Sequence, residues 1–439
     1  MLEGRHRALA NMPILYSFMI LAIFGNPLTG RMTLAAVLLT HGPLTGAVKP
    51  SQAKIWVRTS TSATIQVEYS TSIDFINSRF SNDVLTSQQK DWTAMIQLSE
   101  LSQETIYFYR LLINGSILPI VYRLKTAPPL STRRSFSFAV LSDFRNSVAP
   151  LYKSVSVDDP AFVIFLGDFS HREPTTLSEM RDMHRTLRGP ETPAGRDFIS
   201  YIRKFPFYHV WDDHDLGKNN ADKTFPGMKN ALRAFREYFP TTALSGPDGI
   251  WHKFRYAQAE FFMLDLRSQR DPNSITDGLN KSILGKEQKE WVKNGLLHSS
   301  ATWKFILSTV PFNPGSKPND SWAGFQVERS EIVDFITINE ISNVIFISGD
   351  LHSGGALDNG LNSEFPELSV PHANIPPCTT PTSCKCHTAG DNPGTWSEGL
   401  LCGLNNPGYG FITVRHESVT LEAKGDDGSI RLSIDVQEY

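Results

Sequence analysis

The chain has 439 residues, long enough for two or three domains. Lys+Arg 42 against Asp+Glu 45 leaves a formal charge of −3, so no basic excess exists to neutralise a nucleic-acid backbone. With 40% hydrophobic and 20% charged residues, global disorder is excluded, and a single long apolar run excludes a polytopic membrane protein.

That run, residues 12–25, follows the mixed charges of Glu3, Arg5, His6 and Arg7. A bilayer span needs about 20 residues, so the length suits the apolar region of a signal peptide better. Residues 1–30 are expected to be a signal peptide or membrane anchor. The protein is then secreted or extracytoplasmic, with membrane contact only through this segment. From 53 to 113, the stretches AKIWVR (53–58), TIQVEY (64–69), TAMIQL (93–98) and YFYRLLI (107–113) alternate every second residue, as half-buried strands do. Turns such as Ser60-Thr61-Ser62 and Asn114-Gly115 separate them, and a small β-sandwich of fibronectin-III or immunoglobulin type is expected over 33–128. It carries packing residues and no convergent polar set, as a support domain would. Ala127-Pro128-Pro129 predicts an extended linker.

After residue 134 the pattern changes. Buried-type strands are predicted at 135–141, 161–166, 207–211, 261–264, 305–310 and 344–348, with helices at 177–187, 197–204, 231–238, 286–296 and 327–338. Such alternation predicts an α/β domain over 134–439. Four of these strands run into aspartates: Asp143, then Gly167-Asp168 with His171, then Asp212-Asp213-His214-Asp215, then Gly349-Asp350 with His352. Ligands in open α/β sheets bind beyond the carboxyl ends of strands, so these groups can converge. Without cations such a set of carboxylates would repel and raise its own pKa values. Bound metal removes that conflict. Carboxylate plus imidazole without thiolate suits Fe, Mn or Zn, and Ca or Mg where oxygen dominates. Gly167 and Gly349 would allow close backbone approach.

The 4 cysteines sit late, at 378, 384, 386 and 402. Their even number agrees with an oxidising compartment and allows two disulfides in three pairings. Cys378, Cys384 and Cys386 with His387 also offer a small metal site, though the paired C-x2-C knuckles are missing. The segment 363–408 is long for a connection. It is expected to be either a lid over the pocket or a disulfide-pinned surface excursion.

The ordered motifs resemble the alkaline phosphatase D (PhoD-like) branch of the calcineurin-like metallophosphoesterases. The matching pieces are Gly167-Asp168, Trp211-Asp212-Asp213-His214-Asp215 with Asn219-Asn220, and Leu264-Asp265-Leu266-Arg267. Leu284-Gly285, Gln288 to Trp291, Ser321-Trp322, Glu328-Arg329 and Ser348-Gly349-Asp350-Leu351-His352 follow in family order. His41-Gly42-Pro43 and the stretch from Gly46-Ala47-Val48 to Trp56-Val57-Arg58 are similar to the family's N-terminal sandwich. The resemblance implies a four-layer αββα sandwich with a two-metal site at the sheet edges. It makes Asp168 the carboxylate shared by both metals, Asp143 and His352 ligands of the first, and Asp213 and Asp350 ligands of the second. His214 becomes a general acid for the leaving group. Two positions depart from the pattern. Arg145 stands where the wider superfamily has a histidine, and His171 where branch members often have a tyrosine. His171 is left between a ligand and a supporting role, and the metals between Fe, Ca, Mn, Zn and Mg.

The implied activity is hydrolysis of phosphate monoesters by a hydroxide bridging two metals, with Arg145 steadying the phosphoryl charge. Arg267 and Arg270 are weaker candidates for that task and read rather as solvated ion pairs. A phosphodiesterase or phospholipase-type hydrolase acting on lipid or nucleotide diesters is the alternative enzyme. A secreted binding protein without catalysis is the alternative outside enzymology.

Overall fold

A computed structural model describes residues 37–130, 132–145, 148–374, 393–401 and 406–439. The predicted leader, the four cysteines with their disulfide or metal alternatives, and part of the predicted lid lie outside these residues.

The alternating stretches form strands, as expected. Leu39–Gly46, Ala53–Thr59 and Thr93–Leu98 make one antiparallel sheet. Thr64–Ser70 and Ile106–Ile113 centre a second, with short strands on both sides. Inward residues such as Ile55, Val57, Ile65, Val67, Ile96 and Leu111 are fully buried, while alternate positions face outward. Tyr107 Oη accepts the Ser102 amide at 2.8 Å and ties the loop before its own strand. Residues 126–129 run extended but are not a free linker. Ala127 is buried, and its amide donates to Lys49 O while its carbonyl accepts from the Glu104 amide.

Two mixed sheets follow. In the first, Phe207–Val210, Val163–Leu166 and Phe136–Leu141 are parallel, and the strands Gly408–Val414, Ser418–Gly425 and Ile430–Gln437 extend it antiparallel. In the second, Ala259–Met263, Trp303–Ser308, Val344–Ser348 and Pro366–Ser369 run parallel. Parallel strands covered on both faces read as unbroken apolar runs, which VIFL, FYHV and VIFIS are.

The two faces of the second sheet have different partners. Phe261 and Phe305 meet Phe138 of the first sheet edge-on, at 5.1 and 5.3 Å between centroids. Phe262, Ile306 and Phe346 point the other way, into a core shared with Val292 and Leu296 of the helix Gly285–Leu297 and with Ile332 and Ile336 of Gln326–Ile338. On the outer face of the first sheet, Phe165 packs with Tyr152 of the helix Ala149–Asp158 and with Phe198. Helix, sheet, sheet and helix therefore stack through aromatic layers. Each buried ring removes some 150–250 Å² from water at about 25 cal/mol per Å².

Several elements differ from expectation. The predicted helix 197–204 is a short helix, Pro193–Asp197, continued by a wide π-helical turn, Phe198–Ile202. The segment 363–408 is not one long connection, because Pro366–Ser369 and Gly399–Leu400 are strands of the second sheet.

Candidate metal centre

The parallel strands of both sheets end on one side, and the loops leaving Leu141, Leu166, Val210, Ser308 and Ser348 meet there. Glycines make the meeting close. At Gly167, φ is +78°, and a Cβ would lie 2.6 Å from Asp212 Cβ. A Cβ on Gly349 would lie 3.0 Å from Leu166 O and 3.1 Å from Thr309 O, so the two sheets touch backbone to backbone. Asp143, Asp168, Asp350 and His352 all hold left-handed backbone, with φ of 60°, 48°, 58° and 55°. Each such residue costs about 1–3 kcal/mol, and strain of this kind gathers at sites that the surrounding fold over-determines.

The predicted residues converge in three overlapping groups whose donor atoms lie within 4.8 Å of one another. One contains Asp143, Asp168, Asp350 and His352, a second Asp168, His171 and His214, and a third Asp168, Asp212 and Asp213. Asp168 belongs to all three. His352 Nε2 is 2.9 Å from Asp143 Oδ1 and 3.5 Å from Asp350 Oδ1. His171 Nε2 is 3.3 Å from Asp168 Oδ2, and its Nδ1 is fixed by the Phe144 carbonyl at 2.8 Å. His171 and His214 stack at 4.2 Å, and His214 Nδ1 lies 3.2 Å from Glu173 Oε1. Asp213 accepts the backbone amides of His214 at 2.8 Å and Asn220 at 2.6 Å.

Arg145 is exposed and lines a cavity of about 300 Å³ with Phe144, Tyr152, Phe169 and Arg172. Arg267 and Arg270 are not solvated ion pairs, being 0% and 1% exposed. Arg267 grips Asp212 with Nε at 2.5 Å and Nη2 at 2.9 Å, and reaches Asp320 at 3.1 Å. Arg270 meets Asp320 at 2.8 Å. Sequence reasoning missed Asp320, Lys317 and Glu173. Lys317 and Asp320 lie well beyond the end of the strand Trp303–Ser308, so the strand-end rule that found Asp143 does not reach them. Lys317 pairs with Asp350.

The electrostatics are those of crowded carboxylates. Burial, then Asp213 and Asp212, push Asp168 well above the usual carboxylate range. Burial also lifts Asp212 and Asp350 to about 7, against the pull of Arg267 and Lys317 respectively. Asp143 is buried too, yet the His352 charge holds it well below its ordinary value. His171 falls to about 4 through burial and the neighbouring His214.

Asp143 Oδ1 and Asp168 Oδ2 are buried facing only imidazole nitrogens, those of His352 and His171, and none of these contacts has the geometry of a hydrogen bond. Buried polar atoms left in that state cost about 1–3 kcal/mol each unless something ligates them. The donor set of carboxylates and imidazoles fits Fe, Mn or Zn beside His171 and His352, and an oxygen-preferring cation beside Asp213. The residues fit a metal centre.

A family model described as PhoD-like phosphatase matches residues 136–375, more than half of the chain. The chain belongs to the PhoD-like phosphatase family. The model of that family's N-terminal domain matches residues 28–128. Alkaline phosphatase D of Bacillus subtilis (strain 168) is 25% identical over 329 residues, covering 62% of this chain; the chain spans 55% of that relative's length. A solved structure of PhoD superposes with a TM-score of 0.73 at 20% identity, covering 90% of this chain and 89% of the other. The purple acid phosphatase PPD1 from yellow lupin (Lupinus luteus) seeds gives 0.59 at 13% identity, covering 92% and 74%. Both likenesses concern the fold, and it is the metallophosphoesterase fold that the PhoD-like motifs imply.

Proposed function

We propose that the chain is a metal-dependent hydrolase of phosphate esters, acting as a phosphomonoesterase at a two-cation site. The observation that carries this is Asp168, one buried carboxylate common to three donor groups, as a residue shared between two cations must be. Asp143, His171 and His352 with Asp168 would hold one cation, and Asp213 and Asp350 with Asp168 the other. Two such cations, when bound, supply Lewis acidity and a hydroxide nucleophile at neutral pH.

The remaining work belongs to side chains. His214 has its Nδ1 on Glu173 at 3.2 Å, which orients the ring and leaves Nε2 to protonate the departing alkoxide or phenoxide. Arg267 does not touch substrate. It holds Asp212, and through it the turn that carries Asp213 and His214, in register.

The test is Asp168→Asn with an aryl phosphate and the corresponding bis-aryl diester, each with and without chelator. Hydrolysis should fall by more than the roughly 100-fold lost when only an outer partner of a metal ligand is removed, with metal content down and the far-UV circular dichroism unchanged. Full turnover at unchanged metal content sinks the assignment. Preference for the diester makes the enzyme a phosphodiesterase, and no turnover of either by metal-loaded wild type leaves a binding protein.

A further inference from the structure

Lys317 sits on the loop between the strand Trp303–Ser308 and the helix Gln326–Ile338, at a left-handed φ of 45°. The loop is pinned there: its carbonyl accepts from Ser321 Oγ at 2.9 Å and from the Asp320 amide at 3.2 Å. Its Nζ donates to the Asp350 carbonyl at 2.8 Å and pairs with Asp350 Oδ2, with Asp320 Oδ2 at 4.0 Å. Only 16% of the Lys317 side chain and 8% of that of Asp350 is exposed.

The two halves of the site therefore differ. Asp143 Oδ1 and Asp168 Oδ2 face imidazole nitrogens, those of His352 at 2.9 Å and His171 at 3.3 Å, rather than an ammonium or guanidinium. On the other side, Asp350 already has an ammonium, and Asp213 has two backbone amides and the Arg267 guanidinium at 3.8 Å. The charges can be apportioned. Asp212 and Asp320 take Arg267 and Arg270, and Asp350 takes Lys317. Among the aspartates that group as metal donors, Asp143, Asp168 and Asp213 are left over. One trivalent cation balances these three carboxylates, and one divalent cation nearly does. A second cation carries the pocket to net positive charge and must also draw Asp350 away from Lys317. A phosphoryl dianion arriving with it restores the balance.

We propose that Lys317, by holding Asp350, makes the second cation bind weakly by itself and strongly only together with a phosphoryl group. Lys317 acquires this role only on the two-cation assignment above. Linkage then requires that the cation tighten phosphoryl binding by the same factor.

Calorimetric titration of the metal-stripped protein with manganese(II), with and without inorganic phosphate, tests this. Wild type should bind two equivalents in separate steps, with phosphate tightening the second by about tenfold or more, within the usual range of coupling between sites. In Lys317→Met the second step should already be tight without phosphate, and the gain from phosphate should shrink. Lys317→Arg, which keeps the charge, should behave as wild type and guards against a folding defect in the methionine variant. A second step that phosphate does not move, or that Lys317→Met leaves alone or weakens, overturns the proposal. Asp143→Asn, at a residue assigned to the first cation alone, separates the two claims. If it abolishes the first step while the second ignores Lys317, only the lysine proposal falls. If manganese binds neither wild type nor variant, the two-cation assignment falls and takes the lysine with it.

Discussion

Arg267 is the residue whose environment decides how the acid cluster can exist in a folded chain. It is fully buried, with three carboxylates within 4 Å: Asp212, Asp320 and Asp213. Removing one partner of a buried ion pair strands the other charge, at a cost of about 3–5 kcal/mol. Arg267→Met should therefore lower the unfolding free energy of metal-stripped protein, read by urea titration, by an amount of that order, and Arg267→Lys, which keeps the charge but loses the two-pronged grip on Asp212, should lose less. Equal stability of all three proteins would show that the network is not structural. The carboxylates at the metal centre were legible in the sequence because each closely follows an apolar strand, a local pattern, whereas Asp320 lies deep in a loop. Their cations were not. Arg267 and Asp212 are 55 residues apart and Lys317 and Asp350 are 33, so each pairing exists only once the loops have met.

Among elements, the strand Pro366–Ser369 shows what an apolar-run criterion overlooks. Only Leu368 is strongly apolar, yet all four residues are buried, because Glu367 sits inside the second sheet, its Oε1 receiving Ser348 Oγ at 2.6 Å and the Phe312 amide at 2.9 Å. Burial raises its pKa to about 7. The sign follows from linkage. A carboxyl whose folded pKa lies above its unfolded value, about 4.3, binds protons better when folded, so its contribution is fully present below that value and is lost as pH rises toward 7. Every tenfold gain in proton affinity on folding is worth about 1.4 kcal/mol. Glu367→Gln imitates the protonated form. Its melting temperature should match wild type near pH 4 and exceed it at pH 8. A parallel pair of curves over that range would place the proton elsewhere. The strands Ser418–Gly425 and Ile430–Gln437 were overlooked for a different reason. Their alternation is clear, but no motif drew attention to it, and the neighbouring strand Gly408–Val414 carries glycines where a Cβ would strike Lys424 O or Val370.

At the scale of the whole molecule, the proline pair that marked a boundary in the sequence marks no break in packing. One apolar cluster runs from Ile55 and Trp56 through Phe207, Tyr238 and Phe239 to Phe305. Trp56 joins the two parts most directly. It is fully buried, its Nε1 donates to Glu237 O at 2.8 Å, its ring lies 5.5 Å from that of Tyr238, and Arg188 lies over it at 5.8 Å. Lys54 adds a bond to Thr241 O at 2.8 Å. An interface built as a core shares its fate with both partners, since opening it exposes the same rings that full unfolding would. The protein should therefore melt in one calorimetric transition, with van't Hoff and calorimetric enthalpies in agreement. Trp56→Ala removes about 3–5 kcal/mol of packing from one side of that interface. It should split the endotherm in two, and only the later transition should move upward when manganese is added, because the metal donors all belong to the segment from Asp143 to His352. Two transitions in wild type would instead mean that the sheets before residue 128 unfold independently of the metal centre.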